Sequence, residues 1–265
     1  MKQKSEFVFS KWYVDCVGEN GDTLIAYYAT MKWQSLTFHY SNLITHNQEV
    51  GTLKRGSILK NTVPRVENSS LVWDSPMMNF KGTWRRRERE IQRRLFENEE
   101  GILTWSCVMP RADVEISMEK SRYFPGTGYV EHLTLTLKPW LLPIDELRWG
   151  RFHSHADTLI WIDWLSAKPT RLVIHNGVVM QDCSINDMLI TTKNGDCSLL
   201  LEERKVLQEE PILNSRLLTL PGLINLIPEN LQHAHQCRWR SRGLLCHESS
   251  PPVKGWAIHE YIKFR

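Results

Sequence analysis

The chain of 265 residues and 31.1 kDa carries 33 Lys+Arg against 30 Asp+Glu, and a net charge of +3 over that length argues against polyelectrolyte binding as its main task. With 42% hydrophobic and 24% charged residues the composition is globular; 14 glycines and 12 prolines exclude collagen-like and low-complexity classes. Among the aromatics, 11 are tryptophans; indoles are large and carry one N–H, so this number suits a cavity or barrel lining as well as a core.

In chain order, strand patterns dominate. Alternation over 7–17 and 24–30 flanks Gly18-Glu-Asn-Gly-Asp22, whose Asn-Gly step marks a hairpin. A strand at 51–59 follows, then 91–97 and 102–109 flank Asn98-Glu-Glu-Gly101, a second hairpin. Further strands are predicted at 113–118, 128–137, 147–152, 157–164, 171–176, 188–192, 199–207 and 254–264. Helix is scarce, with 217–226 the best candidate although Pro221-Gly222 interrupts it. Closely spaced strands with polar turns read as all-β, a sandwich or barrel and not a parallel α/β fold.

No stretch reaches the roughly 20 apolar residues of a membrane span. The first eleven residues lack the apolar core of a secretory signal, so a cytoplasmic protein without an integral membrane segment is expected. Its six cysteines are then expected to be reduced, and none forms a C-x-x-C pair.

Asp22-Thr-Leu-Ile25 recurs as Asp157-Thr-Leu-Ile160, each copy after a strand containing a tryptophan, Trp12 or Trp149. An echo at half-length favours two similar β units over one sheet. The boundary is placed near Pro110, giving units 1–110 and 111–265.

The chemistry-bearing residues concentrate between Val108 and Trp164. On a strand, Tyr129 and Glu131 share a face. A carboxyl among aromatics resists ionisation, because desolvation disfavours the charged form, and so suits a general acid. The alternative is a buried ion pair of Glu131 with Arg151 or Arg148. His153-x-His155 and His233-x-His235 each place two imidazoles on one strand face, but no acidic residue follows at a ligand spacing such as H-E-x-x-H, and no metal site is predicted. Trp84-Arg-Arg-Arg-Glu-Arg-Glu-Ile-Gln-Arg-Arg94 reads as a solvated face with cross-strand ion pairs, not a nucleic-acid stripe. With no G-x-S-x-G, P-loop or dinucleotide fingerprint, hydrolase, kinase and dehydrogenase readings have no support.

Pro110-Arg-Ala-Asp-Val-Glu115, Gly126-x-Gly-Tyr-x-Glu131 and Trp149-Gly-Arg151, with the opening Trp12-Tyr-Val-Asp15, together resemble the carotenoid 1,2-hydratase (hydroxyneurosporene synthase) and tocopherol cyclase-like family. That resemblance covers about half the chain. It implies two lipocalin-like antiparallel β-barrels in tandem with little helix, and a hydrophobic, isoprenoid-like ligand in a barrel or inter-barrel cavity. It further implies an acid that protonates a double bond, as in a hydratase (hydro-lyase) or cyclase-like isomerase, with no cofactor. Carried over, the catalytic acid is Glu131, and Tyr129, Trp149, Arg151, Trp140 and Trp161 contact substrate. Alkene protonation needs a neutral carboxylic acid, and each aromatic face stabilises the resulting cation by roughly 0.5–2 kcal/mol. The sequence departs from the family pattern at Glu131, where Asp is usual, at Leu133, where Asn is usual, and at Leu147, where a second Trp is common. Those departures keep a non-catalytic lipocalin-like carrier, or an accessory protein with filled barrels, as the alternative.

Overall fold

A computed structural model describes residues 7–118, 122–192, 197–212, 234–248 and 250–264; the helix expected at 217–226 and His233 lie outside them. The chain divides into two compact units, Met1–Leu141 and Leu142–Arg265. Among the described residues there is no α-helix, only 3-10 turns at Pro76–Met78 and Pro139–Leu141. None of their helices is long and apolar enough to cross a membrane.

The first unit contains β1 (Phe7–Val17), β2 (Thr23–Trp33), β3 (Leu36–Asn47), β4 (Gly51–Ser57), β5 (Arg65–Glu67), β6 (Ser70–Ser75), β7 (Phe80–Arg86), β8 (Ile91–Asn98), β9 (Gly101–Met118) and β10 (Arg122–Leu135). They form one antiparallel sheet in the order β4-β3-β2-β1-β10-β9-β7-β6-β5, with β8 paired to the first half of β9. The second unit contains β11 (Glu146–His153), β12 (Thr158–Leu165), β13 (Thr170–His175), β14 (Val178–Met180), β15 (Cys183–Ile185), β16 (Leu189–Thr192), β17 (Cys197–Pro211), β18 (His235–His247) and β19 (Ser250–Lys263), in the order β14-β13-β12-β11-β19-β18-β17-β16-β15. In both units the last strand pairs with the first. Asp22 and Asp157 of the sequence echo stand immediately before β2 and β12, equivalent strands of the two sheets.

Two closed barrels in tandem are not what forms. The second unit is a nearly closed nine-stranded barrel, whereas the first unit's sheet stays open. The seam explains the difference. In the second unit the edge strands β14 and β15 are joined by Gln181 and Asp182 alone, and Arg171 Nη1 of β13 donates to the Cys183 carbonyl of β15 at 3.2 Å. In the first unit the edge strands β4 and β5 are separated by residues 58–64. Asn61 bridges that gap by side chain only, donating from Nδ2 to Ser75 Oγ at 3.0 Å and to Ser41 Oγ at 3.5 Å. Both edge strands carry exposed charge, Lys54 and Arg55 on β4 and Arg65 and Glu67 on β5, a usual protection for unpaired edges.

Pro110 lies within β9, where the β9–β10 register shifts twice, around Val130. A proline that cannot donate to the ladder is tolerated at such an irregularity. The arginine-rich segment forms the expected cross-strand pairs, Arg85 with Glu115 at 2.8 Å and Arg87 with Asp113, on an exposed face.

In the first unit, alternation sends Val14, Cys16, Leu24, Ala26, Leu43, Trp73, Trp84, Val114, Ile116 and Val130 into one apolar core. In the second, Phe152, Leu159, Trp161, Val173, Ile190, Leu199, Leu201, Leu245 and Ala257 fill the barrel. The gap between Leu159, Val173, Ile190 and Cys197 is about 10 Å³, room for roughly one water. This part of the barrel is packed with side chains and is not hollow.

His259 on β19 is buried beside Trp239 (ring centroids 5.1 Å apart) and shares a 2.8 Å hydrogen bond with Ser241 Oγ. Burial, aided by Arg204, pulls its pKa from 6.5 down to about 3. The unfolded chain takes up this proton near pH 6.5 and the folded chain only near 3. Stability is therefore expected to fall between those values as the pH drops, by up to roughly 1.4 kcal/mol per pH unit from this group. Urea titrations from pH 7 to 4 on the wild type and His259→Gln check this; an unchanged slope in the variant contradicts it.

Candidate functional site

The first unit's sheet has a second buried face. Opposite Val14 and Cys16, β1 presents Lys11, Tyr13 and Asp15, and the ladder carries this face across five strands. Asn42, Tyr27, Tyr13, Glu131 and Cys107 stand in register on β3, β2, β1, β10 and β9. The double register shift at Val130 sets Cys107 opposite Glu131; bulges re-aim side chains in this way.

Glu131 is only 9% exposed. Its Oε2 accepts two hydrogen bonds of 2.8 Å, one from Trp105 Nε1 and one from Tyr129 OH. Cys107, fully buried, is hydrogen-bonded to Tyr129. Burial pushes both the Cys107 thiol and the Tyr129 phenol well above their ordinary values, and for the phenol Cys107 and Glu131 add to the effect. Tyr129 therefore remains a protonated donor to Glu131 at any physiological pH. Tyr13 packs edge-on to Tyr129 at 6.2 Å. Asn42 Nδ2 donates to the hydroxyls of Tyr27 (3.0 Å) and Tyr40 (3.2 Å), fixing two more rings. Lys11 Nζ lies 5.8 Å from the Tyr13 centroid and 5.2 Å from that of Tyr27, so these ring faces already hold a cation.

The other expected site residues are placed as follows. Trp140 packs against Trp33 at 5.7 Å and Phe7 at 6.5 Å, with Lys138 5.8 Å from its ring. Trp149, Arg151 and Trp161 belong to the second unit. Trp161 fills the barrel core, while Trp149 and Arg151 lie on the opposite face of β11. Arg151, fully buried, donates from Nη1 to the Trp256 carbonyl at 3.1 Å. Arg148 pairs with Asp187 (2.9 Å) and Glu146 (3.4 Å). The residues that complete the Glu131 cluster, Trp105 and Cys107, were not singled out by sequence; their i, i+2 spacing on 102–109 was the available signal.

Matching the two sheets at Thr23 and Thr158 places Tyr13, not Trp12, at the position of Trp149. Glu131 pairs with Tyr13, and Glu260 pairs with Trp149. Glu260 is thus the second unit's counterpart of Glu131, and Arg238 the counterpart of Cys107. There the carboxylate is clamped by a guanidinium, with Arg238 Nε donating to Glu260 Oε2 at 2.6 Å and Nη1 to Gln208 Oε1 at 3.1 Å. Further along the same strand face, Arg240 and Arg242 cover the Trp256 ring at 4.6 and 3.7 Å. At this duplicated position Glu131 accepts from an indole N–H and a phenol in one copy, and Glu260 is ion-paired with Arg238 in the other.

No protein-family model and no curated protein sequence matches the chain. Solved structures do. The chain is similar to CghA with Sch210972 (TM-score 0.57, 10% identity, 97% of this chain and 89% of that one). It is similar also to kievitone hydratase from Nectria haematococca (TM-score 0.56, 13% identity, 96% and 88%) and to a putative AttH from Nitrosomonas europaea (TM-score 0.51, 8% identity, 96% and 92%). At such identities the likeness shows the fold alone: an antiparallel β-sheet architecture shared at a distance with these proteins.

Proposed function

We propose that this chain binds a hydrophobic small molecule, isoprenoid-like or polyketide-like, and that Glu131 in its protonated form initiates hydration or cyclisation of a double bond. The observation that carries this reading is the burial of the Glu131 carboxyl on the second face, against two aromatic hydrogen-bond donors. Its Oε2 accepts from the Trp105 indole and the Tyr129 phenol, aromatic surroundings in which desolvation disfavours a charged group. In hydration the Glu131 proton passes to one alkene carbon, leaving a cation at the other. Water adds to that carbon and returns a proton to the carboxylate, so the net change is addition of one water. Capture by an internal hydroxyl gives a ring instead. That kievitone hydratase shares this fold, and that CghA was solved with Sch210972, agrees with the reading.

The two hydrogen bonds on one Glu131 oxygen also stabilise a carboxylate, which favours the second reading, a carrier without turnover. Binding comes first in either case. Intrinsic tryptophan fluorescence is expected to be quenched saturably by at least one member of a panel of isoprenoid and polyketide-derived compounds. The absence of quenching, together with no copurifying small molecule in native mass spectrometry, contradicts both readings.

A further inference from the structure

The second unit gathers three metal-ligating side chains that the proposed chemistry does not use. Asp157 stands immediately before β12, His175 is the last residue of β13 and His247 the last residue of β18, so three separate turns at one end of the barrel contribute one group each. His175 Nε2 lies 3.1 Å and His247 Nε2 3.9 Å from Asp157 Oδ1, and the two imidazoles stack with centroids 5.3 Å apart. The three ligand atoms all fall within 4.8 Å of one another. A tetrahedral ion with bonds of about 2.0–2.2 Å needs its ligand atoms about 3.3–3.5 Å apart, within small side-chain rotations of this arrangement.

The carboxylate is held in place from behind. Ser154 Oγ donates to Asp157 Oδ2 at 3.0 Å and Asn176 Nδ2 to Oδ1 at 3.4 Å, the kind of outer contacts that orient a metal ligand. Burial raises the Asp157 carboxyl, but the hydrogen bonds from His175, Ser154 and Asn176 outweigh it and hold the group below its ordinary value. The side chains of Asp157, His175 and His247 are 13%, 16% and 27% exposed, so an ion could enter.

Bringing His247 here requires the β18–β19 hairpin to run past the end of β11 and close over Phe152. The paired Gly243 and Gly255 permit that. A Cβ on Gly243 would lie 2.5 Å from the Phe152 ring, and one on Gly255 2.2 Å from the His153 carbonyl oxygen. The fold does not demand such a cluster, since among the described residues the equivalent end of the first unit shows none. There Gly18 N donates to the Asp22 carbonyl and Asn20 Oδ1 accepts from Asp22 N, while His46 at the end of β3 shares its Nδ1 hydrogen bond with Thr52.

We propose that Asp157, His175 and His247 form a binding site for a divalent transition-metal ion, with Zn²⁺ the best match to two imidazoles and one carboxylate, clipping three turns of the barrel together and leaving a coordination position open. The full chain, stripped with a chelator and dialysed, is expected to bind one Zn²⁺ by calorimetry and to melt at a higher temperature with it. His175→Gln/His247→Gln is expected to lose this binding, a larger effect than the ~10–100-fold that loss of an outer contact costs. Asp157→Asn, which keeps the turn's backbone hydrogen bond from Ser154 N to the residue 157 carbonyl but replaces one acceptor oxygen of the carboxylate, provides a second variant and should weaken binding and reduce the thermal shift. Three results overturn the proposal: no stoichiometric uptake by the wild type, uptake unchanged in the folded variants, or a thiolate charge-transfer band with Co²⁺ that places the ion on cysteine.

Discussion

Replacing Glu131 by glutamine is expected to lower turnover of the alkene substrate by about 10²–10⁴-fold, the range over which a positioned proton donor contributes, while the chain still folds. Glutamine keeps a side-chain oxygen where Trp105 Nε1 and Tyr129 OH now donate at 2.8 Å, so the row on the second face has no reason to collapse. What is lost is the transferable proton. Ligand affinity should change little, because the amide is nearly isosteric with the neutral acid. Glu131→Leu is a poorer test, since it strands two buried donors at about 1–3 kcal/mol each. Steady-state kinetics with a compound identified by fluorescence quenching, alongside circular dichroism, separates the effects. Full turnover by folded Glu131→Gln removes the acid role and leaves the carrier reading.

The largest effect on stability is expected at Trp84, whose replacement by alanine should cost about 3–5 kcal/mol, a large share of the roughly 5–15 kcal/mol that holds a domain together. The indole is fully buried in the first unit's core. Its Nε1 donates to the Asp15 carbonyl at 2.8 Å, a bond that crosses from β7 to β1 although the two strands are not neighbours. The chain makes room at Gly128, where a Cβ would fall 2.1 Å from that carbonyl and 3.0 Å from Trp84 Nε1. Trp84→Phe separates the contributions: it keeps most of the apolar contact and leaves the Asp15 carbonyl short of a donor, for about 1–3 kcal/mol. Chemical denaturation monitored in the first unit measures both. A loss below about 1 kcal/mol for the alanine variant means the interior is less tightly packed than described. Asp15 also joins this core to the candidate site, because its carboxylate, on the second face, accepts from Tyr13 OH at 3.3 Å.

What could be read from the sequence followed local chemistry. The Asn-Gly turn before β2 and the Asn98–Gly101 turn before β9 were visible because Asn20 and Asn98 cap their own turns, Asn98 Oδ1 accepting from the Glu100 and Gly101 amides. The echo at Asp22 and Asp157 marked equivalent strands, since both residues close the first hairpin of their sheet. Tyr129 beside Glu131 followed from the two-residue period of a strand. The misses have equally specific causes. The strand β18 went unseen because Arg238, Arg240 and Arg242 occupy its alternate positions, and buried guanidinium groups do not read as a core face until Glu260 and Trp256 are known to lie beside them. The long β9 looked like two strands, because Pro110 interrupts the alternation at the register shift. Closure of a sheet is a long-range property. Whether its ends meet depended on two residues at one seam and seven at the other, and no periodicity within a strand reports that. The Asp157, His175 and His247 cluster is likewise assembled by topology from three distant turns and has no spacing signature.

The most direct test of the account is product formation in deuterated water. A compound that the folded chain binds and converts should leave with deuterium on carbon, because the Glu131 proton exchanges with solvent before it is delivered to the alkene, and this holds for hydration and for cyclisation. The wild type is expected to form carbon-deuterated product and Glu131→Gln to form almost none while binding the compound as tightly. Equal deuterium incorporation by the two proteins, or a product carrying no deuterium on carbon, would contradict the account.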